Sequence, residues 1–106
     1  MTAARFDEMI HAPIRLQICG LAAATEMIEF GVLRDLLGIT DSALSKHLAV
    51  LDQARYVRLN KAMGSSRIRT WVLLTHEGQR AFEGHIAALQ AIAAGKPVTN
   101  AGRLGR

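Results

Sequence analysis

Cysteine occurs once in these 106 residues, at position 19, and a single thiol closes no internal disulfide. A reducing, cytoplasmic setting is therefore expected. Cys19 lies among Ile18, Leu21 and Ala22 and reads as a small buried hydrophobe. A redox sensor would need a resolving partner or a basic neighbour, and neither is evident. Long apolar runs are also missing: none reaches the roughly 18 residues that span a bilayer, and no charged-then-apolar leader opens the chain. No membrane partner is expected. Motifs of catalysis are absent as well. There is no G-x-S-x-G, no phosphate-binding glycine loop and no Cys/His constellation, so neither an enzyme nor a cofactor is expected. His11, His47, His76 and His85 show no metal-ligand spacing and read as satisfied or solvated side chains.

What is present is a hydrophobic half, 50% of all residues, enough for one domain with a modest core. The charge is unevenly placed. The chain carries +4 overall, yet residues 42–71 hold Lys46, Arg55, Arg58, Lys61, Arg67 and Arg69 against Asp52 alone. All of the positive surplus sits in that one segment, which points to a polyanionic partner.

The same segment contains an unusual helix. In TDSALSKHLAVLDQARYV, Thr40 offers an N-cap hydroxyl and Asp41 suits the first turn. Leu44, Leu48 and Leu51 form a buried stripe. Opposite them stand Ser42, Lys46, Ala49 and Gln53, with Ser45 and His47 on the flanks. Solvated helix faces are usually rich in Glu and Lys. This one is short, nearly neutral and full of hydrogen-bonding groups, as a helix entering the major groove requires.

Around that helix the periodicity supplies the rest of a domain over residues 1–94. Phe6, Met9 and Ile10 suggest a short amphipathic helix. Pro13 opens a second helix to about Ala24, with Ile14, Ile18, Leu21 and Ala22 inward. Val32, Leu33, Leu36 and Leu37 mark a third, closed by Gly38 as a left-handed cap. After Tyr56 the period changes to two: VRLNKA, the turn MGSS and RIRTWVLL read as a β-hairpin, with Val57, Leu59 and Ile68 inward. Thr75 caps a last helix to about Ala94, with a stripe of Phe82, Ile86, Leu89 and Ala93 broadened by Ala88 and Ile92. Residues 95–106 lack periodicity and are expected to form a flexible tail. Two helices across a tight turn, followed by a basic hairpin, define a mainly α fold with a small hairpin: a winged helix-turn-helix. Lys61, Ser65, Ser66, Arg67 and Arg69 are the hairpin's candidate DNA contacts.

The stretches IRLQICGLAAA, FGVLRDLLGITDSALSKHLAVLDQARYV and TWVLLTHEGQRAF resemble small bacterial winged-helix transcriptional regulators of the MarR/ArsR type, over roughly residues 8–92. That resemblance implies that Ser42, Ala43, Ser45, Lys46 and His47 approach DNA and that Arg67 and Arg69 belong to the wing. It implies a homodimeric repressor of transcription, often relieved by a ligand or metal, although metal sensors of this type carry cysteine clusters. The sequence departs from the family pattern at Arg55, where a Gly is usual, which bears on the turn into the hairpin.

Phe6, Met9, Ile10, Phe82, Ile86, Leu89 and Ile92 supply more apolar surface than one small core needs, and are the candidate dimer interface. The competing arrangement folds residues 1–10 back over the chain's own last helix. The competing function is a winged helix that contacts only protein. Acidic or large apolar side chains at 42, 46, 67 and 69 would suit that role; Ser, Lys, Arg and Arg do not.

Overall fold

The computed structural model describes residues 3–63 and 67–100. Its elements run β1 (Arg5–Phe6), α1 (Glu8–His11), α2 (Pro13–Ala24), β2 (Ile28–Glu29), α3 (Phe30–Leu37), α4 (Asp41–Gln53), β3 (Val57–Met63), β4 (Ile68–Leu74), α5 (His76–Ala93) and β5 (Thr99–Asn100). Mostly helical, with a three-stranded antiparallel sheet ordered β2-β4-β3, it is the winged-helix fold. Ile18, Cys19, Leu33, Leu44, Leu48, Leu51, Val57 and Val72 are buried and make one core joining α2, α3, α4 and the sheet. Removing a leucine from such a core costs about 2–5 kcal/mol.

The local signals act as their chemistry requires. Pro13 occupies the first turn of α2. Gly38 ends α3 at φ 66°, where a side chain would be strained, and Thr40 Oγ1 accepts from the Ala43 amide to start α4. Between those caps only Gly38, Ile39 and Thr40 separate the two helices.

Several expectations need correction. Phe6 lies in a strand rather than a helix, and α1 is only four residues, Glu8–His11. Ile10 is fully buried in its own chain's core and has no surface to offer a second copy. Ile68 is 61% exposed, because the hairpin projects past the point where the core stops. On α5 the buried residues are Gly78, Gly84, His85 and Ala88, with Ala81 and Phe82 packed against the core, while Ile86 and Leu89 are only half-buried. Ile92 is about half exposed and Ala93 exposed. The stripe misled because the helix buries its small residues. A Cβ on Gly78 would stand 2.1 Å from the Tyr56 carbonyl oxygen, so only glycine permits this approach. Within the expected tail, Thr99–Asn100 form β5, which pairs in parallel with β1, Arg5 opposite Thr99 and Phe6 opposite Asn100.

Candidate nucleic-acid interface

α4 presents its two sides as the leucine spacing demands. Leu44, Leu48 and Leu51 are buried, while Ser42, Ser45, Lys46, Ala49 and Gln53 are exposed. Ala43 is half-buried and its amide is engaged by the Thr40 hydroxyl at 3.0 Å. His47 is half-buried beside α2, with Nδ1 3.2 Å from the Arg15 guanidinium. Burial first, then the Arg15 charge, hold its pKa below the usual 6.5, so near neutral pH it acts as a hydrogen-bonding ring rather than a cation.

Asp41, in the first turn of α4, is an exposed carboxylate and would repel phosphate. Arg34 of α3 answers it: the guanidinium spans Asp41 and Asp35 at 2.9 Å each, and those two hydrogen bonds raise its pKa further. The contact is solvent-exposed and adds little stability. Its consequence is electrostatic, a neutralised charge at the start of the helix.

The end of α4 sets where the hairpin departs. The Arg55 amide donates to the Asp52 carbonyl at 2.9 Å and the Tyr56 amide to the Leu51 carbonyl at 2.9 Å, a pair of bonds that closes a helix through a left-handed residue. That residue is Arg55, at φ 66°, the one non-glycine with positive φ among the described residues. The turn conformation is thus the one glycine favours, held by an arginine. Thr75 clamps it from the other side, its hydroxyl donating to the Arg55 carbonyl at 2.7 Å while also capping α5 at Gly78.

In the hairpin, Lys61, Arg67 and Arg69 are exposed, as are Arg58 and Asn60, which the sequence reading had not placed among the contacts. Ser65 and Ser66 lie outside the described residues. Arg15 and Arg34 were also missed; an arginine interrupting an otherwise apolar helix was the available signal for Arg15. A cleft of about 720 Å³ lies elsewhere, between Arg5, Asp7, Tyr56, His76 and Arg80. No group of three His, Cys, Asp or Glu side chains among the described residues is arranged to hold a metal ion. Nor is any described helix long and apolar enough to cross a membrane. Cys19 is fully buried, and that burial pushes its thiol up to about 12, so it is inert as a nucleophile.

A winged helix-turn-helix whose second helix exposes Ser42, Ser45, Lys46 and Gln53 defines a class of DNA-binding protein. The chain belongs to the winged helix DNA-binding domain family, whose model matches residues 14–93. It is 29% identical over 79 residues to the uncharacterized protein MJ0432 of Methanocaldococcus jannaschii, spanning 74% of this chain and 86% of that one. Its structure is similar to that of the transcriptional regulator homologue protein from Pyrococcus horikoshii OT3, with a TM-score of 0.77 and 25% identity, covering 82% of this chain and 86% of the other. The YusO protein of Bacillus subtilis shares the fold at a TM-score of 0.69 and 18% identity, over 82% of this chain and 61% of that protein. The chain is a DNA-binding transcriptional regulator of the winged-helix type.

Proposed function

We propose that this regulator is a homodimeric, sequence-specific repressor. α4 enters the major groove and the β3–β4 hairpin follows the backbone. The observation that carries the reading is the exposed face of α4: Ser42, Ser45, Lys46 and Gln53 offer donors and acceptors without a carboxylate among them. Footprinting on the DNA flanking its own gene, followed by transcription from that fragment with and without protein, tests both specificity and sign. A protected operator with reduced transcript is expected. A template bound without preference, or transcript that rises, overturns the reading.

Dimerisation rests on the apolar surface left after folding. The N-terminal arm does lie on its own α5, with Phe6 packed edge-on against His85 at 4.7 Å. Even so, Met9 on α1 is 43% and Ile92 on α5 48% exposed, and Ile86 and Leu89 of α5 are half-buried. A twofold axis there would cover them and present two α4 helices to half-sites about 34 Å apart. Sedimentation equilibrium is the test. A mass near twice 11.5 kDa is expected for the native chain, falling to one protomer in Ile92→Glu. A native chain that sediments as a monomer at micromolar concentration sinks the proposal.

A further inference from the structure

The register of the hairpin sorts its residues onto two faces. Val57, Leu59, Lys61 and Met63 stand opposite Leu74, Val72, Thr70 and Ile68, so all eight share one face. Arg58, Asn60 and Ala62 stand opposite Leu73, Trp71 and Arg69 on the other. Along the first face burial decays in order. Val57 is 2% and Val72 0% exposed, Leu59 is already 37%, and the pair Lys61–Thr70 is the polar boundary expected where a core ends.

Beyond that boundary the apolar pattern resumes. Met63 and Ile68, directly opposite each other, are 75% and 61% exposed, the two largest exposures among the large apolar side chains of the described residues apart from Leu36 at 62%. A projecting hairpin normally protects itself with charge or turn residues at such positions. Charge is present, but it is sorted: Arg69 occupies the opposite face beside the small Ala62, and Arg67 precedes Ile68. From Gln53 to His76 there are five cations and no carboxylate. A protein partner seated here would have to be strongly acidic and apolar at once. DNA combines those properties in its minor groove, where anionic phosphate rims flank walls of deoxyribose C–H surface, and where other proteins insert apolar side chains.

We propose that Met63 and Ile68 are minor-groove residues. They pack against the deoxyribose wall of one strand while Arg67 and Arg69, at the tip and on the opposite face, engage the phosphates. This inference rests on the DNA-binding reading above and assigns to the wing a contact that charge does not make. The two kinds of contact respond differently to salt. A neutralised phosphate contact contributes about 0.9 to the log–log slope of affinity against salt, whereas apolar burial contributes nothing to it.

The test compares two double variants on one operator fragment across a salt series. Arg67→Ala with Arg69→Ala should flatten the slope by about 2. Met63→Ser with Ile68→Ser should lower affinity about five- to tenfold at every salt with the slope unchanged, as partial burial of the pair, roughly 50 Å² of apolar surface in all, implies. Met63→Leu with Ile68→Val, which keeps the apolar pair, should bind as the native chain does. Hydroxyl-radical cleavage reads the sugars directly. Protection of minor-groove deoxyribose hydrogens flanking the operator should disappear in the serine variant and persist in the leucine–valine one. Serine substitutions that leave affinity and sugar protection unchanged overturn the inference while the charged variants still uphold the DNA-binding reading. Serine substitutions that change only the sedimenting mass assign the pair to a protein interface and overturn it too. If the native chain shows no salt-dependent binding to any duplex, the DNA-binding reading itself falls, and this contact with it.

Discussion

Asp7 and Lys46 are both charged, and the fold treats them in opposite ways. Asp7 is 5% exposed, and both its oxygens are used. Oδ1 accepts from the amides of Met9 and Ile10, and Oδ2 from the Tyr56 hydroxyl at 2.5 Å. Its own amide donates to His85 Nδ1 at 2.9 Å, and His85 Nε2 lies 3.2 Å from His11 Nδ1. Lys46 stands exposed on α4, with no ion pair among the described residues. The seam between arm and α5 spends its polar groups on one another, whereas Lys46 and the exposed hairpin cations take part in no ion pair among the described residues. Mutual satisfaction there serves architecture; unspent donors here await a partner.

The comparison breaks most visibly at Asp7. Asp7→Ala removes an N-cap and a charge-assisted hydrogen bond together, and we expect a loss of about 3 kcal/mol in denaturant unfolding. A loss below about 1 kcal/mol would mean that the seam is ornamental. Lys46→Ala should do the reverse. Stability should stay within about 0.5 kcal/mol, while duplex affinity falls about tenfold and the salt slope by about 1. Equal melting and equal binding would remove Lys46 from the interface.

His85 sharpens the contrast through pH. The Asp7 amide is a fixed donor, so His85 Nδ1 must accept and Nε2 carries the ring proton. Burial first, then His11, depress its pKa below the usual 6.5, with Asp7 opposing. An unfolded histidine near 6.5 therefore binds protons before the folded one, and stability should be full above that value and decline as pH falls through it. His47, also depressed, adds in the same direction. His85→Gln should weaken the decline in thermal melts between pH 7 and 5; an identical slope would exonerate the seam. The smallest effect belongs to Arg55. Arg55→Gly relieves the left-handed strain and should stabilise the protein by about 1 kcal/mol. Chemical unfolding of the two chains decides.

How legible these regions were follows from the range of their interactions. α4 could be read because Gly38, Thr40 and the three leucines act within one helix turn or one tight connection. β2 could not, since two residues, Ile28–Glu29, become a strand only by pairing with Val72 and Trp71. Alternation put Ile68 on the inner face correctly but carries no information about where the core ends. The inward face of α5 was misread because close packing selected glycine, alanine and a histidine satisfied from the far end of the chain. Arg55 was legible as an anomaly, and only the backbone dihedral shows what kind.

The pairing of β1 with β5 has a consequence in time. It joins residue 5 to residue 99, nearly the whole length of chain, through only two residue pairs. Contacts between residues so distant in sequence are the slowest to find one another, whereas α4 and the hairpin form from neighbours. The arm should therefore dock last and lift first, without unfolding the domain beneath it. Each lift would release the Asp7 amide from His85 and briefly bare the flank of α5. Hydrogen exchange at that amide should then run ahead of the Leu48 and Val72 amides, as a clock for the seam alone.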